Sequence, residues 1–141
     1  GRLTEHQTSP AEIANLFAQA ERDMADARVE GLSLDRRFTI LYSAALSLAT
    51  AALYARGFRS AGFGHHATVF AALPDVMGES FSDLADYFDL CRRKRNRLSY
   101  ERVGLATEAD VEELMEATQD FADDVRNWFE RNQPELISGV S

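Results

Sequence analysis

Five basic residues fall within six consecutive positions of the chain, and this basic cluster is the first candidate for chemistry. Its members are Arg92, Arg93, Lys94, Arg95 and Arg97. A guanidinium is planar, permanently charged and able to bind a phosphate through two parallel hydrogen bonds. The cluster therefore indicates a site for phosphate groups, although a basic run alone is a weak signal for nucleic acid.

Arg95 differs from the rest of the basic cluster because it lies on the apolar side of its predicted helix. At about 100° per residue, the direction defined by Phe81, Leu84, Phe88 and Cys91 passes close to Arg95. Burying an unpaired guanidinium is very costly, so Arg95 requires an acidic partner, a ligand or a hydrated cleft.

Two interpretations of Arg95 stay open. In the first, the residue has a structural role, either in an ion pair with an acid of another helix or in stabilising the end of its own helix. The candidate acids are Asp23, Asp26 and Asp124. In the second, Arg95 lies in a cleft, within one chain or between subunits, where it contacts phosphate or a partner.

The elements that must position these residues are helices, because apolar residues recur at spacings of three and four along most of the chain. The residues predicted to cap or begin a helix are Ser9, Ser33, His65, Ser80 and Thr107. Ends are predicted near Gly31, Gly57 and Gly78, and Pro74 is expected to kink or shorten the third helix. With no strand-type alternation, these patterns predict an all-α antiparallel bundle of about five helices.

The chain of 141 residues is predicted to form one domain. We expect the bundle to occupy residues 9–131, preceded by a disordered tail over 1–8 and followed by a frayed tail over 132–141. Between the second and third helices, residues 59–64 are predicted to form a glycine-containing loop.

Composition excludes several other classes of protein. The chain is 45% hydrophobic but has no apolar run of roughly 18 residues, so we expect a buried core and no membrane span. Cys91 is the single cysteine, which excludes an internal disulfide framework and a multi-cysteine zinc site and fits a reducing cytoplasm. Cys91 itself is expected to be a small core residue. No metal or cofactor is predicted.

The segment that begins at Arg95 resembles a motif of the HEPN superfamily, whose members are compact helical bundles. That motif has an Arg, often followed by Asn, and a His about five positions after the Arg. Arg95 and Asn96 match its first half, and Tyr100 stands where the His would be. Together with residues 64–69, the pattern is similar to a bacterial HEPN branch that has Tyr at this position.

The resemblance implies a function in RNA or nucleotide binding. Many HEPN proteins are homodimeric, metal-independent RNases in which two copies of the motif face each other across a cleft. Some are toxins paired with a nucleotidyltransferase antitoxin, and others bind RNA or nucleotides without cleavage. The resemblance thus implies a homodimer, RNA or a nucleotide as ligand, and a nucleotidyltransferase as a candidate partner.

The resemblance also assigns roles for the enzymatic version. Arg95 would stabilise the phosphorane, and Asn96 would orient a phosphate or hold the local backbone. His65, His66 or Tyr100 would handle the proton, but Tyr100 is a poor general base because its ordinary pKa is about 10, against about 6.5 for His. Adjacent helical residues point about 100° apart, so His65 and His66 are a poor chelating pair, and both also suit plain packing at a helix start.

The charge balance favours a different class of function. The chain has 23 acidic and 15 basic residues, and its formal net charge of −8 opposes broad affinity for RNA. In this alternative, the protein is a non-enzymatic interaction module whose basic cluster docks an acidic surface of a partner. In the RNA-binding interpretation, the phosphate contacts around Arg95 come from Arg92, Arg93, Lys94 and Arg97.

Overall fold

A computed structural model of the chain describes residues 2–62, 64–100 and 104–138, except for the side chains of Ser99 and Tyr100. The α-helices of this part are α1 (Pro10–Asp26), α2 (Leu34–Ala55), α3 (His65–Ala71), α4 (Leu73–Met77), α5 (Ser82–Tyr100) and α6 (Glu108–Asn132). Two short strands, β1 (Arg2–Glu5) and β2 (Phe58–Ala61), form an antiparallel sheet, and 3₁₀ turns cover Glu79–Phe81 and Pro134–Leu136. The predicted all-α bundle is confirmed, with the small sheet as an addition to it.

Three of the predicted helix starts are confirmed by capping hydrogen bonds. The hydroxyls of Ser9 and Ser33 each accept from the backbone N–H three residues later, at 3.2 and 3.1 Å. At α6, Thr107 and Asp110 form a reciprocal capping box with both hydrogen bonds at 3.0 Å. Because each cap satisfies an N–H that the first turn leaves without a helical acceptor, short polar residues in the sequence set where these helices begin.

The region between α2 and α5 differs in detail from the prediction. The predicted cap at Ser80 is wrong, because Ser80 lies in a 3₁₀ turn and α5 begins at Ser82. The third predicted helix is divided into α3 and α4, which meet at Ala72. Pro74 lies in the first turn of α4, where a backbone N–H would have no helical acceptor, so the lack of an N–H in proline costs no hydrogen bond. Gly78 then ends α4 with a φ of 117°, a conformation that favours glycine.

The helix α2 lies at the centre of the bundle and contacts each of the other helices. Its small buried residues, which permit close approach of neighbouring helices, are Ala44, Ala45, Ala49, Ala51, Ala52 and Ala55. Beside it, the Phe88 ring packs against Phe70 and Phe121 at centroid separations of 5.4 and 5.2 Å. Cys91 is buried in this core, as predicted.

By length and composition, α2 is also the one helix of the described residues that could cross a membrane. Buried residues make up 56% of its most apolar window. Its central place in the core accounts for this composition, because a helix covered on several sides is apolar around most of its circumference.

The N-terminal segment is not the disordered tail that the sequence predicts. β1 pairs with β2 in antiparallel register, and the backbone N–H of His6 extends the pairing by donating to Gly57 O at 2.8 Å. His6 Nε2 also lies 2.7 Å from the Glu12 carboxylate of α1. The loop predicted over 59–64 is therefore a strand at its start. Four-residue strands are too short to show a hydrophobic period, and this pairing is not local in the sequence.

Part of the predicted C-terminal tail also packs on the bundle. The 3₁₀ turn over Pro134–Leu136 follows α6 after one residue. Leu136 and Ile137 are partly buried against the core, which holds this end of the chain. Residues 139–141 lie outside the described residues.

One carboxylate on α2 binds two backbone groups just before α6. Asp35 accepts hydrogen bonds from the backbone N–H of Gly104 at 2.6 Å and of Ala106 at 3.0 Å. Hydrogen bonds to a charged acceptor are stronger than neutral ones. Asp35 thus ties the residues that precede α6 to the start of α2.

We expect Asp35→Ala to lower the free energy of unfolding by about 1–2 kcal/mol, because two backbone N–H groups lose a charged acceptor and one of them is exposed to water. Urea denaturation followed by circular dichroism measures the change. Glu30→Ala is the matched control, since Glu30 is exposed, and its effect should stay within about 0.5 kcal/mol. Equal effects of the two substitutions would contradict this role of Asp35.

Candidate functional site

Tyr42, His66 and Arg95 come together where α2, α3 and α5 meet, and we name these three residues the Tyr42 site. The hydroxyl of Tyr42 lies 3.1 Å from Nδ1 of His66. The guanidinium carbon of Arg95 lies 5.8 Å from the centroid of the Tyr42 ring, within the range of a cation–π contact. One aromatic side chain therefore contacts both an imidazole and a permanent cation.

The packing of α2 holds Tyr42 in place. Its side chain is 1% exposed, and its ring lies edge-on to Phe70 of α3 at a centroid separation of 5.8 Å. A buried phenol needs a partner for its hydroxyl, and His66, one turn before Phe70 on α3, supplies it. The contact between α2 and α3 thus fixes both ends of the Tyr42–His66 hydrogen bond.

The start of α3 separates the two histidines. Gly64 has a φ of 72°, a left-handed conformation that favours glycine, and it leads directly into the helix at His65. His66 is half-buried against Tyr42, whereas His65 is exposed, and their ring centroids lie 4.3 Å apart at 82°. Of the two histidines, His66 is the one that the fold brings to the Tyr42 site.

Arg95 is half-buried on α5, on the side of the helix where the apolar pattern predicts it. Its Nη1 donates to the amide oxygen of Asn96 at 3.4 Å, so Asn96 contacts the guanidinium. The ion pairs that the structure describes on α5 run to Asp89 and Asp110. These acids differ from the three that the sequence suggested, which were Asp23, Asp26 and Asp124.

Asp89 and Asp110 bind three members of the basic cluster. The Asp89 carboxylate accepts from Arg92 Nε at 2.8 Å and from Arg93 Nη2 at 3.1 Å. Lys94 Nζ lies 3.0 Å from Asp110 at the start of α6. Arg92 is largely covered in its pair, with 22% of its side chain exposed, whereas 66% of the Arg93 side chain is exposed. Within the cluster, Arg92 is therefore covered and acts on His66, whereas Arg93 faces solvent and Lys94 faces α6.

Positive charge remains at this end of α5 after the ion pairs are counted. Asp89 neutralises one of the two guanidiniums that it binds, and Asp110 neutralises Lys94. The exposed Arg97 adds a further charge. The second half of α5 is thus locally positive in a chain whose net charge is −8.

A groove of about 500 Å³ opens between α5 and the pair of helices α3 and α4. Small residues, including Ala67, Ala71 and Ala85, line part of it, and Asp89 and Arg92 line another part. Arg92 therefore lines this groove and also acts through its charge on His66.

Burial and neighbouring charge set the protonation of the Tyr42–His66 pair. Burial raises the pKa of Tyr42 to about 12, and the charges of Arg95 and Arg92 oppose that rise. Burial also lowers the pKa of His66, and His65, Arg95 and Arg92 lower it further. At neutral pH, Tyr42 keeps its proton and His66 is uncharged, so the pair is a neutral unit beside guanidinium groups.

Tyr42 is the site residue that sequence reasoning missed, because its spacing places it among the apolar residues of the second helix. The sequence feature that could have identified Tyr42 is its hydroxyl, because a phenol on a buried helix face needs a hydrogen-bond partner. The side chain of Tyr100, a candidate from the motif, lies outside the described residues. Within the described ranges, no group of three or more His, Cys, Asp or Glu residues could hold a metal ion.

Residues 31–126 match the model of the SAV_6107-like HEPN family. The matched range contains α2, α3 and α5, and therefore all three residues of the Tyr42 site. Comparisons with curated proteins and with solved structures found no match. The family match confirms the resemblance that the residues around Arg95 suggested.

We expect the His66 imidazole to titrate below its ordinary pKa of about 6.5 in the folded protein. Arg95→Gln should raise the pKa of His66, because it removes one of the charges that oppose protonation. NMR titration of the histidine side chains measures both effects. Arg97→Gln is the matched control on the same helix, and a shift as large in this variant would show that Arg95 has no specific effect.

His66 also links stability to pH. Because its pKa is lower in the folded chain, the unfolded chain takes up the proton first as pH falls. The contribution of His66 to stability is therefore lost as pH falls from about 6.5 towards the folded pKa. We expect His66→Gln to flatten this part of the stability profile, as measured by urea denaturation at a series of pH values; an unchanged slope would contradict the linkage.

Proposed function

The chain belongs to the SAV_6107-like HEPN family, and from this we propose that it binds the phosphate groups of RNA or of a nucleotide at the Tyr42 site. The observation that carries the proposal is the arrangement around one buried ring. The Tyr42 hydroxyl lies 3.1 Å from His66, and the ring faces the guanidinium of Arg95 at 5.8 Å. A permanent cation and a neutral imidazole are thereby held in position before a ligand arrives.

Phosphate is the ligand class that these groups suit best. The guanidinium of Arg95 offers a planar fork of donors that matches two phosphate oxygens, and Asn96 contacts it from the next position on α5. Arg92 lines the groove, and its charge acts on His66. Exposed Arg93 and Arg97 extend the positive surface, which favours a polyanion such as RNA over an isolated phosphate.

Two partners belong to the same proposal. A homodimer would bring two copies of the Arg95 segment to one cleft, as in many HEPN proteins, and a nucleotidyltransferase would act as the antitoxin of a toxin–antitoxin pair. Analytical ultracentrifugation tests the first, and co-purification with a nucleotidyltransferase from the neighbouring gene tests the second. A cytoplasmic location fits the buried, unpaired thiol of Cys91.

The ion pairs of α5 favour a second candidate function. Asp89 and Asp110 already neutralise part of the basic cluster, which weakens its attraction for RNA. In this candidate, the protein is a non-enzymatic interaction module, and the exposed members of the cluster dock an acidic surface of a partner protein. A salt titration with RNA distinguishes the two candidates.

We expect the protein to bind fluorescein-labelled single-stranded RNA at low salt, with an affinity that falls steeply as salt rises. Arg95→Gln should weaken binding by about tenfold and reduce the salt slope, because a desolvated contact to phosphate is lost. Arg28→Gln is the matched control, since Arg28 is exposed in the turn after α1 and the substitution changes the net charge equally. Fluorescence anisotropy measures each affinity; no binding at low salt would favour the interaction module.

The enzymatic version of the proposal has its own test. RNA incubated with the protein in EDTA should be cleaved by the wild type and remain intact with Arg95→Ala, because the guanidinium would stabilise the charge of the phosphorane. Gel electrophoresis of the RNA shows the result. Intact RNA with both proteins restricts the function to binding, and equal cleavage by both assigns the activity to a contaminant.

A further inference from the structure

The direction of one buried hydrogen bond decides what His66 offers to a ligand. Either the Tyr42 hydroxyl donates to Nδ1 of His66, or a protonated Nδ1 donates to the hydroxyl oxygen. The distance of 3.1 Å fits both arrangements. They differ at the other ring nitrogen, since Nε2 carries the hydrogen in the first case and is an acceptor in the second.

The burial of Tyr42 selects the first arrangement. Its side chain is 1% exposed, so water does not serve its O–H, and a buried O–H left without an acceptor is costly. In the part of the chain that the structure describes, the hydrogen bond of this hydroxyl is the one to His66. If Nδ1 carried the hydrogen, the phenolic hydrogen would need a further acceptor in an apolar surrounding.

The neighbouring charges act in the same direction. Arg95 lies over the Tyr42 ring, and a positive charge at this position makes a phenol a better hydrogen-bond donor. The charges of Arg95 and Arg92 also disfavour a second proton on His66. Among the described residues, the other titratable groups that act on the pair are His65 on α3 and Asp89 and Cys91 on α5.

We infer that Tyr42 is a positioning residue that donates to Nδ1 of His66 and thereby fixes the imidazole as an Nε2–H donor to an anionic ligand. Nε2 then adds a neutral donor to the charged fork of Arg95, and both suit phosphate oxygens. A nitrogen that already carries hydrogen does not accept a proton at neutral pH. His66 is therefore a binding group and not the general base that the resemblance would allow. This inference takes its ligand class from the proposed function.

The tautomer is read directly from the folded wild-type protein. In protein labelled with ¹⁵N at histidine, long-range proton–nitrogen NMR spectra distinguish a nitrogen that carries hydrogen from one that accepts a hydrogen bond. We expect His66 to show hydrogen at Nε2 and a hydrogen-bonded acceptor at Nδ1. In Tyr42→Phe, which keeps the ring under Arg95, the Nδ1 signal should move to the position of a free acceptor nitrogen.

Tyr54→Phe is the matched control, because Tyr54 also lies on α2 and its ring contacts another histidine, His6, at a centroid separation of 4.3 Å. This variant should leave the His66 signals unchanged. Hydrogen at Nδ1 of His66 in the wild type overturns the inference. So does an Nδ1 signal that Tyr42→Phe fails to move, and amide spectra establish that the variant is folded.

Binding of inorganic phosphate and of the labelled RNA tests the consequence. Tyr42→Phe should weaken both by about threefold to tenfold, as expected for a donor that is no longer oriented. His66→Gln, whose amide N–H can replace Nε2–H, should retain most of the affinity, whereas His66→Ala should lose it. Loss of affinity in His66→Gln equal to that in His66→Ala overturns the donor role. If the wild type binds neither probe, the proposed function fails, while the NMR result still decides the tautomer.

Discussion

The site depends on a single physical constraint: a phenol hydroxyl buried inside an apolar helix bundle must have a hydrogen-bond partner. Tyr42 lies in the central helix α2, and His66 at the start of α3 provides that partner. The same ring supports the guanidinium of Arg95 from α5. Satisfying one buried polar atom thus fixes the relative position of three helices and brings an imidazole and a cation to one place.

The charge distribution of the chain depends on how its acidic residues pair with the basic cluster. The protein is acidic overall, yet the second half of α5 remains positive because its acids only partly neutralise the basic cluster. Asp89 binds Arg92 and Arg93 and so orients two guanidiniums on one side of the helix. The basic cluster is therefore the locally positive part of a chain that is acidic overall.

The parts of the fold that were predictable from sequence are those with local causes. The caps at Ser9, Ser33 and Thr107 act over three residues, so their patterns are visible in the sequence. The pairs of Asp89 with Arg92 and Arg93, three and four residues apart on one helix, were equally visible. For Arg95, by contrast, the acids suggested by the sequence lie on distant helices. The pairing of β1 with β2 and the contact of Tyr42 with His66 join segments that are distant along the chain, and no local pattern specifies such contacts.

The small sheet connects the amino end of the chain to the site. β1 pairs with β2, and β2 leads within a few residues to Gly64 and the start of α3, where His66 lies. His6, just after β1, is held by Gly57 and Glu12. The small sheet thus packs against α3, the helix that carries His66, although β1 precedes the matched family range. A change that disturbs residues 2–6 would therefore shift the start of α3, and with it His66, from outside the matched range.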